Sequence, residues 1–150
     1  MKNLFEASTA KEVQDRIGRL GPSSVRQWGK MTAPQALAHC AITMEWAVGD
    51  SHPPRMFVGR IFGPIAKSYI LKDDQPMRRN SATAKSLVVA DERDLPKERQ
   101  RLCALVERFA SGGPQGCTKH PHSFFGRLTP EEWAAIMYKH LDHHLRQFGV

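Results

Sequence analysis

Apolar residues recur at helical spacing in four stretches of the chain, and each stretch opens on a residue able to cap a helix. In STAKEVQDRIGRLG, Val13, Ile17 and Leu20 form one stripe, Thr9 and Glu12 have the spacing of a capping box, and Gly21 can end the helix. MTAPQALAHCAITMEWAVGD repeats the logic: Thr32 and Gln35 make the box, Pro34 sits in the first turn, and Gly49 is the stop. DLPKERQRLCALVERFASGG starts at Asp94, carries Leu102, Leu105, Val106 and Phe109, and finishes at Gly112. In TPEEWAAIMYKHLDHHLRQFG, Thr129 is the cap, Pro130 the first helical residue, and Glu132 closes the box.

Residues 50–93 fall outside this pattern. There PPRMFVGRIFGPIAKSYIL predicts short helical pieces on either side of Gly63 and Pro64, while KDDQPMRRNSATAKSLVVADER has no helical stripe. SLVVA is the only strand-like run, and no internal repeat is present. A structureless connection of this length is uncommon within a compact fold and marks a lid, a crossover or a misassigned element. The pattern predicts an all-α fold: one domain over residues 1–150, a four-helix bundle with a long crossover between its second and third helices.

Composition narrows the function. With 150 residues, 41% hydrophobic and 25% charged, the chain has the make-up of a soluble globular domain. Its apolar runs fall short of the ~18 residues that span a bilayer, and MKNLFEASTAKEV lacks the apolar centre of a secretory signal, so no membrane partner and a cytoplasmic location are expected. Cys40, Cys103 and Cys117 are odd in number and show no CxxC spacing, as for reduced thiols. The net charge of +7 raises nucleic acid as a partner, yet the basic residues are scattered among acids without interleaved aromatics. A solvated basic surface, with no nucleic-acid partner, is the expectation.

Candidate chemistry lies in YKHLDHHLRQFGV. At ~100° per residue from Trp133, Met137 falls near ~40°, His140 near ~340°, His144 near ~20° and Phe148 near ~60°, so both histidines occupy the buried stripe. His143, near ~280°, is at its margin, and Asp142, near ~180°, on the solvent side. A pair at i and i+4 has the spacing of a chelate, its Cβ atoms ~5–6 Å apart. Two core histidines satisfied by hydrogen bonds are the alternative, which places two polar ring edges in the core without a common partner. A third ligand would come from elsewhere, and His39 is the only histidine in the second helical stretch. That helix is apolar on nearly every side, so periodicity predicts that His39 is buried without fixing its direction. Cys40 reads as a small buried hydrophobe. His120 and His122 shape the turn before the last helix or line the mouth of a site, and His52 is at the surface. Gln147, near ~320°, is either a hydrogen-bond partner behind a histidine or a helix-end amide.

Missing motifs exclude several chemistries. Leu141 follows His140, so there is no HExxH; no inward Glu-x-x-His pairs supply a di-iron site; no phosphate loop, dinucleotide fingerprint or GxSxG occurs. What remains is at most a mononuclear site of three histidines with an open position.

The tail HLDHHLRQ, inside HPHSFFGRLTPEEWAAIMYKHLDHHLRQFG, resembles the HxxHHxxQ ending of the DinB/YfiT-like superfamily of metal-binding four-helix bundles. That resemblance covers nearly the whole chain, the crossover least. It implies a divalent metal, Zn or Ni, on His39, His140 and His144, and often a homodimer. It also implies a small-molecule substrate and chemistry of the thiol-dependent S-transferase type, in which the metal activates a low-molecular-weight thiol, or water, for attack on an electrophile. A metal-binding bundle without catalysis, structural or sensing, is the alternative.

Overall fold

The computed structural model describes all 150 residues and is all-helical. Five helices follow in order: α1 (Ala7–Arg19), α2 (Ala33–Val48), α3 (Phe57–Leu71), α4 (Leu95–Gly116) and α5 (Pro130–Gln147), with a 3₁₀ turn at Lys85–Leu87. SLVVA therefore forms no strand, and Val89 buries its side chain from irregular backbone. No helix is long and apolar enough to cross a membrane.

Three of the four predicted helix starts are built as read. Thr32 and Thr129 each accept a hydrogen bond from the backbone N–H three residues on, and Gln35 and Glu132 return one to the cap's own N–H. Asp94 accepts from the Lys97 N–H at 2.7 Å. The first start differs. Helix α1 begins behind Glu6, whose side chain caps nothing, and Thr9 donates to the Glu6 carboxylate at 3.0 Å from inside the first turn. Regular α4 geometry is interrupted at Gly113, where φ is 56°, one residue beyond the predicted stop.

Helices α1, α2, α4 and α5 supply nearly all of one core, in which Val13, Met44, Leu102, Phe109, Trp133 and Leu141 are almost inaccessible. Helices α1 and α2 both pack against α4 and α5. Helix α2 buries Ala, Leu, His, Cys, Thr and Met positions all round, which explains why its pattern gave His39 no direction.

Two polar residues of α5 depart from the wheel. Asp142, expected in solvent, is 6% exposed because α1 covers it: Arg16 meets its carboxylate at 2.8 Å, and Arg146 binds the other oxygen at 2.7 Å. A buried charge of this kind is tolerated only when paired. Lys139 is likewise buried and donates to the carbonyls of Ile70, Asp73 and Gln75, tying the end of α3 to α5.

The crossover brings the largest correction. Instead of two pieces flanking Gly63 and Pro64, α3 runs unbroken through Pro64. Proline disfavours helix at the preceding residue chiefly through that residue's Cβ, and Gly63 has none. Gly59 and Gly63 also let α3 lie against the 122–126 turn. A Cβ on Gly59 would stand 2.5 Å from the Phe124 carbonyl oxygen, and one on Gly63 closer still. Arg55 donates to the carbonyls of His122 and Ser123 at 2.7 and 3.0 Å, fixing the start of the helix to the same turn.

Candidate metal centre

α2 and α5 bring His39, His140 and His144 together, with one ring nitrogen of each within 4.8 Å of the other two. The ring centroids form a near-equilateral triangle of 4.7, 4.8 and 4.9 Å. The capping boxes at Thr32 and Thr129 set where each helix begins, and the i,i+4 spacing on α5 puts both its imidazoles on the turn that faces α2.

Each ring is held from behind at Nδ1. His39 Nδ1 donates to the Leu87 carbonyl at 2.9 Å. The Thr43 hydroxyl donates to the Cys40 carbonyl at 2.9 Å, so its oxygen is free to accept from His140 Nδ1 at 3.1 Å. Gln147 donates through Nε2 to the Trp28 carbonyl at 2.8 Å, which fixes its amide and turns Oε1 toward His144 Nδ1, 2.9 Å away. With a proton on every Nδ1, the neutral rings carry bare lone pairs on Nε2.

Burial keeps the rings neutral. Desolvation is the largest cause at all three: it lowers His39, takes His140 well below the ordinary histidine range and His144 to about 3. Repulsion among the neighbouring imidazoles pushes the same way at each. Yet Nε2 of His39 and Nε2 of His140 stand 2.9 Å apart. With His140 protonated on Nε2 and the Thr43 hydroxyl turned to donate to its Nδ1, the contact is an N–H···N hydrogen bond; with every Nδ1 protonated, two lone pairs face each other and a shared cation would draw them together. Burial disfavours an additional, charging proton, and a divalent ion suits three imidazole nitrogens backed by oxygen acceptors. The donor set therefore fits a metal such as Zn or Ni, and does not by itself select one.

The other candidates fall elsewhere. His143 leans on His144 and Trp28, with ring centroids at 5.0 and 5.8 Å, and does not join the triangle. His122 shapes the turn before α5: its Nδ1 accepts from the N–H groups of Phe124 and Phe125 at 3.1 and 3.2 Å. His120 sits against exposed His52, centroids 4.8 Å apart. Cys40 is a buried hydrophobe whose thiol burial raises far above its ordinary range, and Cys117 is pushed up to about 11. Asp142, though buried, is engaged by Arg16 and Arg146, so no carboxylate joins the three histidines.

Sequence reasoning missed two supports. Thr43 carried a signal, lying one helical turn after His39 on the same face. The Leu87 carbonyl carried none, since a backbone acceptor has no side-chain signature. It places the crossover directly over the centre, and Arg79 extends that cover by stacking on Trp28, 4.1 Å from the ring centroid.

No curated protein and no solved structure matches the chain. Residues 3–149 match the family described as Protein of unknown function (DUF1569), and the chain belongs to that family.

Proposed function

We propose that this chain is a divalent-metal-dependent enzyme of the DinB/YfiT-like type, a four-helix bundle whose α2 and α5 hold the ion through His39, His140 and His144. The observation that carries the reading is the triangle of imidazoles with every Nδ1 engaged from behind, so that the Nε2 atoms of His39 and His140 face one another at 2.9 Å. When bound, such an ion lowers the pKa of a thiol or water brought beside it and so generates a nucleophile near neutral pH. The chain's own cysteines do not serve: burial raises Cys40, Cys103 and Cys117 alike and none joins the three histidines, so the thiol nucleophile is a low-molecular-weight one that enters. The reaction class is transfer of that thiol to an electrophilic small molecule. The Leu87 carbonyl and Gln147 hold His39 and His144 in one tautomer, Thr43 positions the His140 ring, and the crossover restricts water.

One observation favours the non-catalytic alternative. The Leu87 carbonyl binds His39 directly, so the crossover closes over the centre as it would over a structural ion. The two readings part experimentally. Protein purified without a histidine tag should contain near one equivalent of a transition metal, lost in both His39→Ala and His144→Ala. Metal-free protein that also fails to take up added Zn or Ni would end both. If the metal is present, thiol conjugation to a panel of electrophiles, abolished in His140→Ala, supports the enzyme. Metal-dependent stability without turnover on any thiol leaves the structural ion.

A further inference from the structure

The outward face of α3 has no partner within the chain. Phe57, Val58, Ile61, Phe62, Ile65 and Tyr69 are each more than half exposed. At ~100° per residue they fill a continuous arc of ~140°, opposite the glycine face that lies on the 122–126 turn. Isolated exposed hydrophobics are ordinary, but six on one face of one helix mark a binding surface. The charge around them is as uneven. Residues 51–90 hold seven Lys and Arg against two Asp; Arg55 is turned onto the His122 and Ser123 carbonyls and Lys67 is paired with Glu132 of α5, which leaves Arg60, Lys72, Arg78, Arg79 and Lys85. Lys72, at the C-terminal end of the helix, places its ammonium 4.5 Å from the Tyr69 ring centroid and 3.7 Å from the Asp73 carboxylate. Arg60, exposed on the flank of the same helix, makes no ion pair, and neither do Arg78 and Lys85 further along the crossover.

We infer that α3 is an in-plane membrane anchor, docking on an anionic lipid surface with its apolar arc in the headgroup and acyl boundary and its cations on the lipid phosphates. Bulky aliphatic and aromatic residues on one face with basic residues at the margin are what such a surface recognises. A second copy fits less well: a two-fold contact through α3 would set two strongly positive segments side by side, with no acidic surface between them. This revises the sequence expectation of no membrane partner, which considers spanning length alone, because a helix lying in the interface does not need to span. It draws on none of the residues of the candidate metal centre.

The test is co-sedimentation of the full-length chain with vesicles of phosphatidylglycerol and phosphatidylcholine in equal parts, and with vesicles of phosphatidylcholine alone, at low salt. Binding to the anionic vesicles is expected, weakened by added salt, and weakened about tenfold or more in Ile65→Glu and in the paired Arg60→Glu, Lys72→Glu variant. All these side chains are exposed, and circular dichroism melts should match the parent. Failure to bind anionic vesicles overturns the inference, as does binding that the folded variants retain undiminished. A chain that is dimeric in solution, becomes monomeric in Ile65→Glu and ignores vesicles would assign the face to a second copy instead.

Discussion

Gln147→Leu removes one amide and little volume, and it tests the centre at the point where geometry says most. The parent side chain is 3% exposed and makes two hydrogen bonds, accepting from His144 Nδ1 at 2.9 Å and donating to the Trp28 carbonyl at 2.8 Å. Without metal, the substitution leaves a ring N–H and a carbonyl unsatisfied, a loss of about 1–3 kcal/mol in folding stability. With metal, the further effect is on the ligand. His144 is no longer held to one tautomer, and loss of such a supporting partner costs about 10–100-fold in metal affinity, or ~1.4–2.7 kcal/mol. Because bound metal stabilises in proportion to the logarithm of affinity, saturating Zn should raise the melting temperature of the variant by about 3–10 °C less than that of the parent. Competition against a chromophoric chelator at neutral pH gives the affinity directly, and thermal melts with and without Zn give the stability. Thr43→Val, which removes the acceptor behind His140, should reproduce the affinity loss. Equal Zn affinity in parent and both variants, with the fold intact, would refute the claim that these two side chains orient the rings.

Gly63→Ala pits two effects against each other: exchanging glycine for alanine in a helix gains up to about 1 kcal/mol, but the new methyl would press on the Phe124 carbonyl, and overpacking costs about 1–3 kcal/mol. Net destabilisation in urea melts is expected, whereas Gly18→Ala, with open space around it, should stabilise by about 0.5–1 kcal/mol; a stabilised Gly63→Ala would show that α3 does not rest on the turn. His122 carries a pH dependence, since burial first and Arg55 second lower it to about 4. Its folded pKa lies below the unfolded value, so the unfolded state binds the extra proton between pH ~6.5 and ~4, and stability falls by about 3 kcal/mol as pH drops through that window. Replacing it in His122→Asn, whose oxygen can still accept the turn N–H groups, should flatten the acid limb by about one proton, ~1.4 kcal/mol per pH unit; an unchanged limb would remove His122 as a titrating group. Lys139→Met deletes donors to three carbonyls of residues 70, 73 and 75, and should make the chain after α3 more sensitive to limited proteolysis before the core melts. Uniform protection would place the anchor of that helix elsewhere.

What could be read from the sequence was what local rules determine. The boxes at Thr32 and Thr129 and the cap at Asp94 depend on neighbours three residues away, and the chelate spacing of His140 and His144 depends on one turn of one helix. The all-helical class followed from the same periodicity. Where the reading failed, a distant partner decided. Thr9 and Glu12 had box spacing, yet Glu6 took the cap position and Thr9 bonded back to it. Asp142 was polar at a solvent angle, and α1 supplied Arg16 to bury it. Gln147 left two readings open, and the Trp28 carbonyl resolved them by fixing which end of the amide meets His144.

The crossover joins these cases to function. Pro64 read as a helix breaker, and Gly63 before it removed the Cβ that would have made it one. The same glycine faces inward with Gly59, so Ile61, Phe62 and Ile65 face outward, while Ile70 and Leu71 at the end of the helix turn back to the core. One short pattern, Gly-x-x-x-Gly-Pro, thus keeps α3 whole, seats it on the turn that His122 organises, and turns its apolar arc to the outside. The chain that leaves α3 is held by Lys139 and goes on to lay the Leu87 carbonyl on His39. A contact made on the outer face of α3 is therefore linked by continuous backbone to the cover of the metal centre. If docking shifts the crossover between two arrangements, vesicle binding and metal binding change each other's affinity reciprocally and by the same factor. Vesicle co-sedimentation with and without saturating Zn measures it, and equal affinities would mean that the two surfaces act independently.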